Sequence, residues 1–79
     1  MNGSTPSDPR PSDPPSTARI GQALREARAM EGLSQRIIAE LSGISERTLR
    51  DIERGSPSPS LGSVLAVAET LGMTLEARR

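Results

Sequence analysis

Apolar residues in the stretch 19–79 recur mostly at helical spacing, and small residues punctuate them. Ile20, Ala23, Leu24 and Ala27 follow i, i+3, i+4, i+7, which predicts a first helix from about Thr17 or Ala18 to Met30, closing at Gly32. Leu61, Val64, Leu65, Ala68 and Leu71 repeat the rule near the end of the chain. Ser34 to Gly43, Ser45 to Gly55 and Ser60 to Gly72 each open on a residue that can cap a helix N-terminus. Each closes on a glycine suited to the position after a helix. Leu33 stands before the Ser34 cap with Ile38 four positions after it, and Ile44 is related in the same way to Ser45 and Leu49. Both pairs have hydrophobic-staple spacing, which sets how the chain enters a helix. Four helices are therefore predicted. Met73, Leu75 and Ala77 alternate with Thr74, Glu76 and Arg78, and this period of two predicts one short C-terminal strand.

Residues 1–18 break the pattern. They hold five of the seven prolines, several Ser and Thr, and no aliphatic larger than Met1. Such a segment buries too little apolar area to offset its ordering entropy, so it is read as a disordered Pro/Ser-rich tail. Pro11 and Pro14 have the PxxP spacing of a polyproline ligand, although a solvated tail accounts for the segment without a partner. All but two of the apolar residues lie in 19–79, a span near the lower size limit for a domain that folds alone. A second copy of the chain is therefore expected to contribute.

Composition then removes whole classes of chemistry. The chain has no Cys, His, Lys, Phe, Tyr or Trp, and its ten arginines balance ten acidic residues. Zinc sites and disulfides lack ligands, and the usual general bases and nucleophiles are missing except for carboxylates. An enzyme is not expected, and no metal or cofactor is implied. Nothing in the sequence approaches the apolar run of a membrane span or the pattern of a secretory signal. The expectation is a small intracellular, cytoplasmic binding module.

The spacing between the second and third helices suggests what is bound. Gly43 permits a left-handed turn, Ile44 goes inward and Ser45 restarts a helix, leaving a helix-turn-helix connection with small Ala39 at the approach. In the helix at 45–54, Arg47, Arg50 and Arg54 fall within about 60° of one another, with Leu49 and Ile52 opposite. A helix held by its apolar back and presenting guanidiniums outward fits the major groove of DNA, where Arg donates two hydrogen bonds to guanine. Glu46 can accept from cytosine, and Asp51 lies close to the arginine face. Charge alone also allows a solvated helix with internal pairs Arg47–Asp51 and Glu46–Arg50.

Leu33-Ser34-Gln35, Ala39, Gly43, Ile44-Ser45, Leu49, Ile52-Glu53 and Gly55 resemble the helix-turn-helix of Cro/C1-type (Xre) repressors, over about residues 20–72. Pro59-Ser60-Leu61, Leu71-Gly72 and Met73-Thr74-Leu75-Glu76 extend the likeness toward the HipB-type antitoxin branch. The resemblance implies an all-α, four-helix, lambda repressor-like domain at 19–72 that binds double-stranded operator DNA as a homodimer and represses transcription. It also implies that Gln35 contacts a DNA phosphate, and that Ser45, Glu46, Arg47 and Arg50 face bases or adjacent backbone. Arg36, Thr48 and Arg54 complete the expected DNA-binding set.

Two departures stand out: Arg36-Ile37-Ile38-Ala39 leaves Ile37 exposed, and the loop Ser56-Pro57-Ser58-Pro59 has no basic residue for phosphate. Residues 19–79 carry a net charge of only +1, which predicts modest non-specific affinity and makes dimerisation important. A strand at 73–79, with Met73, Leu75 and Ala77 on one face, is expected to pair with a second copy, the alternative being a frayed tail. Val67, on another side of helix four from Leu61 and Leu65, fits either the core or an interface. The HipB likeness further implies a HipA-like toxin kinase as a partner, so an antitoxin interaction module is the alternative function.

Overall fold

Ser34, Ser45 and Ser60 each cap a helix in the computed structural model, which describes residues 15–79. Their hydroxyls accept from the backbone N–H groups of Ile37, Thr48 and Ser63 at 3.0–3.1 Å, satisfying donors that a helix start otherwise leaves free. The described residues form four helices: α1 (Ser16–Met30), α2 (Gln35–Ser42), α3 (Glu46–Glu53) and α4 (Leu61–Thr70). The ends are equally regular. After α2, Gly43 adopts φ 74°, a conformation that L side chains resist, and the Ile44 N–H reaches back to the Ala39 carbonyl at 3.0 Å. The same six-residue closure joins Leu33 to Arg28, Ser56 to Asp51 and Met73 to Ala68.

α1 starts earlier than its apolar spacing predicts. Pro15, with φ −60°, occupies the cap position without a side-chain hydrogen bond, and its carbonyl accepts from Ala18 and Arg19. Ser16, expected in the tail, therefore belongs to the helix, as do Thr17 and Ala18, which the tail and helix expectations shared. The remainder of the predicted tail, including the PxxP spacing, lies outside the described residues.

The core consists of Leu24, Ile38, Ala39, Leu49, Ile52, Val67 and Ala68, with Ile20, Leu33, Ile44, Val64, Leu71, Met73 and Leu75 packed around it. α3 touches each of the other three helices, and α2 also packs on α4. Val67 is fully buried, so it belongs to the core. Leu61, which the periodicity placed on the core face, is 69% exposed. α4 is apolar around much of its circumference, so spacing alone could not select the buried side, and Val67 and Ala68 take it.

One close approach sets the angle of α1. A side chain on Gly21 would run into the Ile52 carbonyl oxygen, so the two backbones meet where only glycine fits. The C-terminal alternation does not produce a strand within the chain: residues 73–79 have no regular structure. A strand needs a neighbour for its hydrogen bonds, and none is offered within the described chain. Met73 and Leu75 instead lie half-buried against the core, while Ala77 is exposed.

Candidate nucleic-acid interface

α3 is fixed by its back and open at its front. Leu49 and Ile52 are buried, whereas Glu46, Arg47, Arg50 and Arg54 are exposed. The internal pairs of the alternative, solvated-helix reading, Arg47–Asp51 and Glu46–Arg50, do not form. Asp51 accepts from Arg54 at 3.1 Å instead, an i, i+3 contact at the helix end. Arg47 and Arg50 consequently have no hydrogen bond or ion pair among the described residues. Glu46 sits in the first turn, where a carboxylate complements the helix dipole. Ser45 and Thr48 are brought together as a cap: the Ser45 hydroxyl accepts from the Thr48 N–H and donates to the Thr48 hydroxyl at 2.9 Å.

The start of α2 lies beside this face. Arg36 is exposed, and Gln35 is half-buried with its amide donating to Glu53 Oε1 at 2.9 Å. Gln35 therefore takes part in a network that local sequence spacing did not reveal. Arg28 grips the Glu53 carboxylate through Nε at 2.6 Å and Nη2 at 3.0 Å, while its Nη1 donates to the Leu33 carbonyl at 2.7 Å. Three elements meet on this one carboxylate: α1, the entry to α2, and the end of α3. Arg28 is thereby turned inward.

The network is electrostatically closed. Burial would push the Glu53 carboxyl up. Hydrogen bonds from Arg28 and Gln35, with the charges of Arg28 and Arg25, outweigh it and hold the group below the usual carboxylate range. The hydrogen bond to Glu53 likewise raises Arg28, with burial opposing it. No side-chain nitrogen or oxygen among the buried described residues lacks a partner. The site thus has a paired, neutralised floor and a front of exposed guanidiniums, an arrangement suited to an anionic surface.

Residues 24–77 match the family model described as "Helix-turn-helix". The chain belongs to the Cro/C1-type helix-turn-helix family. Within the matched span the helix-turn-helix pair is α2–α3. Over 59 residues it is 39% identical to the HTH-type transcriptional regulator y4dL of Sinorhizobium fredii, a match covering 75% of this chain and 30% of that protein. The chain thus spans less than a third of that relative's length. The restriction-modification controller protein C.AhdI from Aeromonas hydrophila superposes with a TM-score of 0.66 at 38% identity, covering 73% of this chain and 88% of the other. A chain in the structure of a HipA-HipB-O2-O3 complex superposes with a TM-score of 0.73, covering 86% and 96%, at 18% identity. That last likeness is one of fold.

Proposed function

We propose that this helix-turn-helix protein is a dimeric repressor that places α3 in the major groove of an operator, including one at its own gene. The observation that carries this is the pair Arg47 and Arg50. They stand exposed on a helix whose back is locked into the core, and neither is spent on an internal pair. Arg47 reads a base, and Glu46 and Arg50 read or support its neighbours. Ser45 and Thr48 hold the start of the helix. Gln35 and Arg36, with the amides opening α2, grip the backbone, since a helix N-terminus attracts phosphate. Arg54, at the far end, contributes positive charge. Residues 19–72 form the binding unit, and 73–79 join two copies through Met73, Leu75 and Ala77.

No helix among the described residues is long and apolar enough to cross a membrane. The proposed place of action is the bacterial cytoplasm, on the nucleoid when bound. Binding, not catalysis, is the proposed activity. The test is a titration of the purified protein onto labelled DNA from upstream of its gene, beside a scrambled duplex, at several salt concentrations. Preference for the upstream duplex, with a log–log salt slope of about 0.9 per phosphate neutralised, supports the reading. Absence of binding to both at low salt removes it.

A second reading, an antitoxin that covers a HipA-like kinase, draws support from Ile37 and Leu41. Both are exposed one turn apart on α2, leaving apolar surface uncovered there. An adjacent, overlapping gene for a kinase-like protein is the observation that favours it.

A further inference from the structure

All four helices close in the same way. The chain turns on a glycine of positive φ, and the residue after it sends its N–H back to a carbonyl in the last turn. That residue is Leu33 after α1, Ile44 after α2, Ser56 after α3 and Met73 after α4. Leu33, Ile44 and Met73 also pack against the core, the apolar contact that completes such a closure. At α4 alone the contact is made by a side chain that is readily oxidised.

The composition gives that difference weight. The chain has three methionines and no Cys, His, Tyr or Trp, so thioether sulfur is its most oxidisable group. Met30, at the end of α1, is 87% exposed and stands outside the core cluster. Met73 is half-buried and borders an open hollow of about 250 Å³ between α1, α4 and Leu75. Most of that lining is apolar. Its side-chain hydrogen-bond donors belong to Arg19 and Thr74, and both residues are exposed.

We propose that Met73 is a modification site, oxidised by a peroxide to the sulfoxide, and that oxidation releases residues 73–79 from the core. The sulfur attacks one peroxide oxygen, an S–O bond forms, the O–O bond breaks and water leaves. Sulfur loses two electrons and the peroxide gains them. A sulfoxide oxygen held against Leu24, Ala68 and Leu75 is an acceptor without a donor, so the side chain turns out to solvent. Leu75, two residues on, then loses its neighbour. The consequence for assembly rests on the dimeric reading above: a released segment no longer presents Ala77 in place, and two copies pair less tightly. Pairing through 73–79 covers Met73, so the monomer is the form that reacts and peroxide draws the equilibrium toward it.

The test exposes wild type, Met73→Leu and Met30→Leu to graded hydrogen peroxide. Tryptic peptides 29–36 and 55–78 carry Met30 and Met73 separately, so mass spectrometry assigns the sulfoxide. Release is read by hydrogen exchange of the Met73 amide, which the Ala68 carbonyl holds at 2.8 Å, and pairing by sedimentation equilibrium. Oxidation of Met73 is expected to speed that exchange about tenfold and to weaken pairing by a similar factor. Met30→Leu responds as wild type does. Met73→Leu, a volume-conserving change, keeps slow exchange and its pairing at the same dose. Methionine sulfoxide reductase returns the oxidised wild type to its starting state. Complete oxidation of Met73 with unchanged exchange overturns the release. Met73 that stays reduced at doses well beyond those converting Met30 overturns the site, as does a response retained by Met73→Leu. An untreated wild type that is monomeric at high concentration removes the dimeric reading alone, and exchange at Met73 still decides the release.

Discussion

Glu53 is the one buried charged residue among those described, and it ties together three helices through Arg28 and Gln35. Such a pair need not be more stabilising than an apolar substitute, but removing one partner strands the other charge. Glu53→Ala is therefore expected to cost about 3–5 kcal/mol in denaturant unfolding. Its titration has a definite sign. The folded carboxyl lies below its unfolded value, so its contribution is complete above the unfolded pKa, about 4.3, and is lost as pH falls through the lower folded value. Unfolding midpoints should hold near neutral pH and decline in acid, more steeply than those of Glu53→Gln. Parallel acid profiles for the two proteins would show that the network contributes nothing to folding. The same residue illustrates the limit of reading single positions: Arg28 and Glu53 are 25 apart in sequence, and no local spacing links them.

At the scale of the helices, most of the architecture was legible because it is local. The serine caps, the closing glycines and the staple pairs each act within one or two turns, and all four predicted helices are present. The two faces of α3, buried and exposed, were legible for the same reason, since one helix fixes which side chains share a face. What needed tertiary information was not legible. Leu61 is exposed because α4 offers more apolar positions than its neighbours cover, and Glu53 receives Arg28 from another helix. Two substitutions test the packing of α3. Leu49 is fully buried at the back of the helix, and Leu49→Ala should destabilise by about 2–5 kcal/mol, read as a lowered melting temperature. An unchanged melt removes Leu49 from the core. Gly21→Ala forces α1 away from α3 and should cost about 1–3 kcal/mol, although alanine is the better helix former. A more stable Gly21→Ala protein would mean that the two backbones do not meet there.

For the whole molecule, the proposal joins two copies through a segment that has no strand partner of its own. Met73 and Leu75 already pack on the core, whereas Ala77 shares their alternating face and is exposed. Ala77→Asp should therefore leave the melting temperature of dilute protein unchanged and shift sedimentation equilibrium toward monomer. A wild type that stays monomeric at high concentration contradicts the pairing at 73–79. Near-neutral charge makes such a dimer matter, because two half-sites on one duplex compensate for weak contacts by each. The central claim is that α3 reads bases through Arg47, and its most direct test is selection of binding sites from a random duplex pool by wild type and by Arg47→Ala. The account predicts an inverted repeat with half-sites about one helical turn apart for the wild type. Arg47→Ala should recover the same repeat with one position per half-site relaxed, at a cost of about 1–3 kcal/mol. Identical motifs from both proteins, or no enriched motif from the wild type, would contradict it.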